Sequence, residues 1–382
     1  MNQAVAAALS QEEAFARIRL LRSPNIGPIA YRQLIARFGN AVHAIEALPD
    51  LGARGKRRYS PIAKDRIERE IDGVRAAGAR YLFHDQPDYP ELLSQLDSAP
   101  PIITCRGRLE LASQPCVAIV GARSASAASV TLARTFATQL AQRGFTIVSG
   151  LARGIDGAAH KGALNAVGAD IGGGRTIGVI ASGIDIAYPP QHKELQERIA
   201  QEGLLIAEQP PGTEPRGRHF PSRNRIIAGL ASGTLVVEAA PKSGSLITAR
   251  LAAEAGREVM AIPGSPLDTR SHGCNQLIRD GAILISDPKD VIELVEDFTG
   301  APRSTYRVAE EYDIYEPNAS EPNEPIDAAV IEALLSTAPI AIDELIRQSG
   351  ASAAAVQMAL LELELSGALE RHGAGKVSLN GA

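Results

Sequence analysis

Residues 216–225 (RGRHFPSRNR) combine the side chains best suited to bind a charged ligand. Four arginines and one histidine surround a single aromatic residue, Phe220. Arginine forms charge-assisted hydrogen bonds with phosphate oxygens, and a phenylalanine ring stacks on an unpaired base for about 1–3 kcal/mol. A solvated charge run is the alternative, but arginine without lysine or glutamate, interrupted by Phe-Pro, is unusual for one. The segment therefore favours binding of a single-stranded nucleic acid.

A second candidate lies in residues 117–124 (VAIVGARS), where an apolar strand runs into a small-residue turn before a helix. Ligands bind at the carboxyl edge of open α/β sheets, and the amides of a helix N-terminus favour phosphate. The turn lacks the GxGxxG spacing of dinucleotide sites, and no acidic residue follows about 20 residues on. We predict that this turn binds an anion but no dinucleotide. A tight structural turn with a solvent-facing Arg123 is the alternative.

A third candidate, residues 236–250, repeats the pattern of strand, small-residue loop and helix. Beside Lys242, four residues offer amides and hydroxyls at the start of the helix: Ser243, Gly244, Ser245 and Thr248. The pattern predicts a second cradle for an oxyanion. The chain contains no G-x-x-x-x-G-K-[ST] sequence, so ATP hydrolysis by a Walker A loop is unsupported.

Residues 149–160 (SGLARGIDGAAH) place Asp156 and His160 four residues apart, on one face of a helix. One aspartate and one histidine do not make a metal site without further ligands. We therefore predict that Asp156 caps the helix and that both side chains pack. The chain also lacks HExxH, a G-x-S-x-G elbow and a metal-ligand cluster. No catalytic residue, metal or cofactor is predicted, and the protein is expected to bind rather than to catalyse.

These loops need a sheet to bring them together. From about residue 116, seven short apolar runs rich in β-branched residues alternate with helical segments. The runs are Val117–Val120, Thr146–Val148, Ile177–Ala181, Leu204–Ala207, Thr234–Glu238, Val259–Ile262 and Ile283–Ile285. Strands without polar alternation are typical of sheets buried on both faces, and their alternation with helices predicts a parallel sheet. The fold class is therefore α/β: a Rossmann-like, doubly wound, mostly parallel sheet.

The two ends of the chain differ from this pattern. The first hundred residues are predicted to form small helices, with a turn at Pro24–Pro28 that is typical of helix-hairpin-helix or SAM-like units. Residues 301–325 contain four prolines and six acidic residues without an apolar period, and are predicted to be a linker. Three short helices and a hairpin around Gly373–Gly375 then suggest a winged helix. The predicted domains are 1–85, 86–300 and 326–382.

Composition limits the function further. The net charge is −5, but residues 301–382 carry 5 Lys+Arg against 13 Asp+Glu, so nearly all the acidity is C-terminal. A local basic patch elsewhere can still bind phosphate, because screening acts over about 8–10 Å. The sequence shows no membrane span or secretion signal, and its three cysteines have no CxxC spacing. A reducing cytoplasm is the expected location.

Six motifs together resemble the DNA processing protein A (DprA/Smf) family over residues 86–300. They are VAIVGAR, SGLARGIDGAAHKGAL, SGIDIAYPPQH, HFPSRNRIIAGLA, VVEAAPKSGSLITARLAAEAGREVMAIPGS and HGCNQLIRDGA. The resemblance implies a non-enzymatic protein that binds and protects single-stranded DNA in a positively charged pocket and dimerises through the Rossmann-like domain. It also implies delivery of the strand to the recombinase RecA during natural transformation.

The resemblance also implies site residues. Its glycine-and-arginine turn matches Gly121, Ala122, Arg123 and Ser124, and its basic pocket segment matches Phe220, Arg223 and Asn224. Ala122 stands where the family often has serine, so only a backbone contact would survive there. A family lysine has no lysine counterpart here, and Arg216 or Arg218 is expected to replace it. With the third loop, the expected nucleic-acid-binding set also includes Lys242, Ser243, Gly244 and Ser245.

Two further expectations concern alternatives. The candidate recognition helix of the winged helix, residues 352–365, has two glutamates and no Lys or Arg, so we expect packing or protein interaction rather than duplex DNA binding. The main rival function is a nucleotide-binding enzyme similar to the lysine-decarboxylase-like phosphoribohydrolases, whose phosphate loop the segment Lys242–Thr248 faintly resembles. That group needs a glutamate soon after its loop, whereas this helix continues with Ala249 and Arg250.

Overall fold

The computed structural model describes residues 9–54, 59–166, 174–296, 326–372 and 375–380. The described residues form two compact units. One contains residues 69–296, and the other contains residues 9–68 together with residues 326–380. The predicted linker, residues 301–325, and part of the predicted hairpin turn, residues 373–374, lie outside the described residues.

Four helices open the chain: α1 (Gln11–Arg22), α2 (Pro28–Phe38), α3 (Ala41–Arg54) and α4 (Lys64–Ala76). The middle of the chain alternates strands and helices: β1 (Arg80–Phe83), α5 (Glu91–Ser94), β2 (Ile102–Gly107), β3 (Cys116–Val120), α6 (Ala127–Gln142), β4 (Thr146–Ser149), α7 (Ile155–Leu164), β5 (Thr176–Gly183), α8 (Lys193–Glu202), β6 (Leu204–Gln209), α9 (His219–Leu230), β7 (Gly233–Val236), α10 (Gly244–Glu254), β8 (Glu258–Ala261), α11 (His272–Arg279), β9 (Ile283–Leu284) and α12 (Pro288–Val295). The last part contains α13 (Ala328–Leu334), β10 (Ile340–Ala341), α14 (Ile342–Ser349), α15 (Ala353–Leu365), β11 (Leu369–His372) and β12 (Lys376–Leu379).

The middle strands form one nine-stranded sheet in the order β1-β2-β6-β5-β4-β3-β7-β8-β9. The strands from β3 to β9 are parallel to one another, whereas β2 pairs antiparallel with β6 and with β1, which forms the edge of the sheet. All seven predicted runs are strands of this sheet. The Rossmann-like, doubly wound fold with a small helical part and a winged helix is therefore confirmed.

Strand β1 contradicts the prediction that the first hundred residues form small helices, and a second strand, β2, lies just beyond them. β1 and β2 were not predicted as strands. β1 has only four residues, and β2 receives its partner, β6, from about 100 residues further along the chain. A pattern that is read over neighbouring residues cannot detect such pairing, since strand stability depends on cross-strand contacts.

Burial on both faces explains the unbroken apolar runs. Side chains alternate between the two faces of a strand. Val117 and Ile119 of β3 belong to the core on one face, and Cys116, Ala118 and Val120 belong to the core on the other. All five residues of β3 are buried. Since helices cover both faces, no position of this strand is free to be polar.

The strand order reverses beside β3. From β3 the chain adds β4, β5 and β6 in one direction, and it then crosses back to place β7, β8 and β9 on the other side. β3 therefore lies between β4 and β7, and the loops after β3 and β7 leave the sheet in opposite directions. Such a switch point opens a crevice at the carboxyl ends of the strands, where open α/β sheets bind ligands.

The second unit joins the helices α1–α3 to the C-terminal winged helix. Helix α15 is apolar nearly all round, which is typical of a helix buried on all sides. Val356, Leu360 and Leu363 pack inside the winged helix, whereas Leu361 and Leu365 belong to the core of α1–α3. The expected packing role of this helix is thus confirmed. None of the helices in the described ranges has the length and apolar character needed to span a bilayer.

Candidate nucleic-acid interface

Two adjacent cavities lie at the switch point of the sheet. The larger one, the switch-point cavity, has a volume of about 560 Å³, and the smaller one, the Tyr188 cavity, has a volume of about 220 Å³. The two cavities share four lining residues: Arg123, Ala152, Phe220 and Arg223. The switch-point cavity is also lined by the loop after β7 and the start of α10, including Lys242, Ser243, Gly244 and Ser245.

The Arg123 and Phe220 side chains face each other at the shared wall. Arg123 comes from the loop after β3 and Phe220 from the first turn of α9, and Arg123 Cζ lies 5.0 Å from the centre of the Phe220 ring. A guanidinium over an aromatic face is held by the ring quadrupole. Arg123 is exposed, so its charge faces solvent and ligand. The two segments that the sequence analysis selected separately therefore form one surface.

Arg223 lies in the floor of both cavities and is buried, as is Asp156. A Cβ at Gly150 would lie 1.2 Å from Arg223 Nη1, so only glycine leaves room for this guanidinium. Burial lowers the pKa of Arg223, and the charge of Asp156 opposes that shift. Burial likewise raises the pKa of Asp156, opposed by the charge of Arg223. The two groups thus stabilise each other's charged forms in a low-dielectric floor.

One donor of this buried cation has no partner. Arg223 Nη1 lies 3.4 Å from the Val179 carbonyl oxygen, but Nε has no hydrogen-bond partner among the described residues. An unsatisfied buried donor is uncommon because it loses its hydration without compensation. This Nε has almost no accessible area, so Arg223 acts on a ligand in either cavity through its charge rather than through this donor.

The loop after β4 is held by two side chains of α7. The backbone N–H of Leu151 donates to His160 Nε2 at 3.3 Å, and that of Ala152 donates to Asp156 Oδ2 at 3.3 Å. Asp156 does not cap the helix as predicted, because the N-cap position belongs to Gly154. The expected packing role holds for both residues, which are buried and fix the loop that lines the cavities.

The loop after β3 is tied to β7 through Glu238. Ala122 N–H donates to the Glu238 carbonyl at 2.8 Å, and the Glu238 carboxylate accepts from Ser126 Oγ at 2.6 Å and from Ser126 N–H at 3.2 Å. The predicted anion cradle at the start of α6 is therefore occupied by a carboxylate of the protein itself. The Ala122 amide therefore already has a partner, but Ala122 lines the switch-point cavity, and its expected backbone contact with a ligand stays a prediction.

The second predicted cradle remains open to the cavity. Ser243 is the N-cap of α10, and its hydroxyl accepts from Ser245 N–H at 3.4 Å. Asn224 Nδ2 donates to the Gly244 carbonyl at 3.4 Å and so joins α9 to this turn. Lys242 is exposed and has a φ of 68°, a left-handed backbone that non-glycine residues rarely adopt. Such strained positions cluster at binding sites.

Three predicted residues do not line either cavity. Ser124, Arg216 and Arg218 are exposed but lie outside both linings, although Gly217 between the two arginines contributes to the larger one. Arg225, in the same basic segment, donates to the Ser98 carbonyl at 2.6 Å and pairs with Glu208. The basic segment is therefore divided between binding and structural roles.

Several lining residues were not singled out by the sequence analysis. Among them are Arg153, Tyr188, Gln191 and Ile247. The only available signal for Tyr188 was its position in SGIDIAYPPQH, after the end of a parallel strand. The carboxyl end of β5 lies at the same edge of the sheet as those of β3 and β4, so its loop was a candidate as well.

Three family models match the chain. Residues 80–296 match the model described as DNA recombination-mediator protein A. Residues 11–73 match a DprA-like N-terminal HHH domain, and residues 316–375 match a DprA winged helix domain. The matches cover the sheet and both parts of the second unit.

Individual proteins give the same result. The chain is 34% identical to Protein Smf of Escherichia coli over 337 residues, which cover 87% of this chain and 86% of that protein. It is 46% identical over 204 residues to DNA processing protein DprA of Streptococcus pneumoniae, covering 53% of this chain and 70% of that protein.

Two solved structures are similar in fold and sequence. The X-ray structure of S. pneumoniae DprA has a TM-score of 0.63 at 34% identity and covers 75% of this chain and 98% of its own. A Helicobacter pylori DNA processing protein A, whose structure concerns a single-stranded DNA binding mode, has a TM-score of 0.50 at 31% identity, covering 56% of this chain and 94% of its own.

Proposed function

The chain belongs to the DNA processing protein A (DprA/Smf) family, and we propose that it binds single-stranded DNA in the switch-point cavity. The proposal rests on one observation: Arg123, Phe220 and Arg223 line the same cavity, with the Arg123 guanidinium over the Phe220 ring. A cation for the phosphate and a ring for the base stand side by side, which is what an unpaired strand requires. The H. pylori relative, described as binding single-stranded DNA, supports the same ligand.

The phosphate is best placed at the start of α10. The start of α6 holds the Glu238 carboxylate, whereas Lys242 and Ser243–Ser245 line the cavity. The acidic residue of this lining, Asp156, interacts with the charge of Arg223. Helix N-termini attract phosphate through their amides and their dipole. The exposed Arg123 and the charge of the buried Arg223 add positive potential for one backbone phosphate.

A salt titration of oligo-dT binding tests the proposal. We expect Arg123→Ala to weaken binding and to reduce the salt dependence, because each lost phosphate contact removes about 0.7 from the slope of log K against log salt. Arg223→Ala should act in the same direction. Phe220→Ala should weaken binding by about 1–3 kcal/mol with less change in slope, because stacking is not ionic.

Arg250→Ala is the matched control, since Arg250 is an exposed arginine of α10 that pairs with Glu254 and lines neither cavity. If the three site variants bind oligo-dT like the wild type and the Arg250→Ala control, this assignment of the site is wrong.

We also propose that the protein binds its ligand without catalysing a reaction. The phosphoribohydrolase alternative needs a glutamate next to the phosphate loop, but Glu254 lies two turns later in an exposed pair with Arg250, with 3.5 Å between Arg250 Nε and Glu254 Oε1. Release of free base from nucleoside monophosphates would restore the alternative. Binding without turnover is the expected result.

The wider role that we propose is protection of incoming single strands and delivery to RecA in natural transformation, by a cytoplasmic homodimer. The family membership supports this role. Light scattering of the free protein and of its complex with oligo-dT measures the dimer, and a strand-exchange assay with RecA measures delivery. We expect Arg123→Ala to lose both strand binding and stimulation of RecA.

A further inference from the structure

We propose that the Tyr188 cavity is a second nucleotide subsite, so that the protein holds two consecutive nucleotides of a strand, one on each side of the shared wall. The inference rests on the proposed function and adds the length and path of the bound strand. The Phe220 ring lines both cavities, and a strand that passes this wall would reach both of them. The Tyr188 cavity, at about 220 Å³, is less than half the size of its neighbour.

Tyr188 gives this cavity a stacking surface of its own. Its ring centre lies 5.9 Å from that of Phe220, with 56° between the ring planes. Tyr188 is 41% exposed and is the one aromatic residue among the exposed large hydrophobic side chains of the described ranges. An apolar ring that remains in water beside a second ring is typical of a binding surface.

The segment that carries Tyr188 is stiff. Pro189 and Pro190 follow it directly and also line the cavity. Proline fixes the backbone φ angle, so little conformational entropy is lost when a base stacks on the preceding ring. After the two prolines, His192 Nδ1 donates to the Leu151 carbonyl at 2.9 Å and thereby joins this segment to the loop after β4.

The positive charge around the Tyr188 cavity favours binding of the phosphates of a DNA strand. Arg123 and Arg153 are exposed at its border, and Arg223 lies in its floor. No acidic residue belongs to its lining within the described part of the chain. Gln191 adds a side-chain amide that can both donate and accept hydrogen bonds at the edge of a base. The cavity therefore repeats the combination of ring and cations that characterises the switch-point cavity.

The inference can be tested on the full-length protein by comparing its affinity for a mononucleotide with its affinity for a dinucleotide. We expect wild type and Tyr188→Ala to bind thymidine monophosphate equally, because that ligand needs only one subsite. The thymidine dinucleotide should bind to Tyr188→Ala about fivefold or more weakly than to the wild type, the lower limit for the loss of one stacked base. Tyr188→Phe keeps the ring and should restore wild-type binding of the dinucleotide.

Arg153→Ala gives a second measurement that does not depend on the tyrosine. Its binding of oligo-dT should show a salt slope smaller by about 0.7, the value for one phosphate of a single strand. Arg250→Ala, which removes the same charge from an exposed position outside both cavities, should leave the slope unchanged.

The outcomes separate the two proposals. If Tyr188→Ala binds the dinucleotide like the wild type while Phe220→Ala binds it weakly, the second subsite is wrong and the proposed function stands. Equal weakening of one and two nucleotides by Tyr188→Ala also contradicts the second subsite, because the tyrosine would then belong to the first. If the wild type binds no single-stranded DNA at all, the proposed function itself fails.

Discussion

His160 is a histidine that the fold keeps uncharged. Its Nε2 accepts from the Leu151 N–H, and its Nδ1 therefore carries the proton toward Thr176 Oγ1, 2.7 Å away. Thr176 Oγ1 in turn donates to the Ile147 carbonyl at 2.8 Å. Leu151 has a φ of 57°, a costly conformation for a bulky residue, and this chain of bonds holds it there. Burial lowers the pKa of His160 to about 3, with a further contribution from His192.

The lowered pKa predicts a loss of stability in acid. The unfolded chain takes up a proton on this histidine near its ordinary pKa of 6.5, whereas the folded chain does so only near about 3. The folded state should therefore lose about 1.4 kcal/mol per pH unit from His160 as the pH falls between these values. Urea unfolding of wild type and His160→Gln from pH 7.5 to 4.5 measures this, and the variant should show the shallower dependence.

His272→Gln serves as the control, since His272 is exposed in the same unit. A slope for His160→Gln as steep as that of the wild type and of the control would show that His160 does not resist protonation.

Glu238, in the loop after β7, connects this loop to the start of helix α6 at the edge of the candidate site. A carboxylate next to a cavity for an anionic strand is unfavourable unless its charge has a partner. Here the partner is the N-terminus of α6, whose dipole and Ser126 amide face the carboxylate. Glu238 therefore fixes both ends of the turn that carries Arg123, through Ala122 at one end and Ser126 at the other.

A double-mutant cycle between Glu238→Gln and Ser126→Ala measures this connection. Each single variant should lower the free energy of unfolding by about 1–3 kcal/mol, the usual loss for a buried bond to a charged group. The two losses should not add, because both variants remove the same contact, and we expect a coupling energy of about 0.5–3 kcal/mol.

Thr131→Ala in α6 provides the comparison, because Thr131 is exposed and its hydroxyl donates to the Ala127 carbonyl of its own helix. Its effect should add to that of Glu238→Gln. If the losses from Glu238→Gln and Ser126→Ala were additive, Glu238 and Ser126 would not stabilise the protein through their shared contact.

The arrangement of strands and helices explains which parts of the candidate site could be predicted from the sequence. The loops after β3, β4 and β7 were found from sequence because the carboxyl ends of parallel strands meet at one edge of a sheet. Arg123 was selected in this way, and Phe220 was selected from the arginine-rich segment 216–225, although nothing local to either residue shows that they touch. The blocked cradle at α6 was missed, since only the folded sheet brings Glu238 to Ser126. Tyr188 was missed for the same reason.

At the scale of the whole molecule, α15 belongs to two cores at once. Leu361 and Leu365 are buried among α1–α3, and Asn25 Nδ2 donates to the Leu365 carbonyl at 3.1 Å. Gln33 and Gln357 add a side-chain bond of 2.9 Å between α2 and α15. Helix α15 corresponds to the helix that reads the major groove in helix-turn-helix proteins. Here it is covered by the chain's own N-terminal helices. The same contact covers part of the Pro24–Pro28 turn.

A charged substitution in this contact should loosen both ends of the chain together. Leu361→Glu buries a carboxylate without a partner, and we expect a loss of about 2–5 kcal/mol from the second unit. Hydrogen exchange should show lower protection in α2 and α3 while the nine-stranded sheet keeps its protection. Val330→Glu places the same charge at an exposed apolar position of α13 and should change little.

If Leu361→Glu leaves the exchange of α2 and α3 as slow as in the wild type, these helices do not depend on α15 for their stability.

The shared helix has a consequence for the order in which the chain folds on the ribosome. The helices α1–α3 are made first, but Leu361 and Leu365, which complete their core, are made about 300 residues later. At synthesis rates of about 5–20 residues per second, the nascent helices wait roughly 15–60 s with apolar side chains uncovered. The sheet between them can close in that interval. Helices that are synthesised before the sheet are therefore completed after it, and a chain released early would expose their apolar side chains to chaperones and proteases.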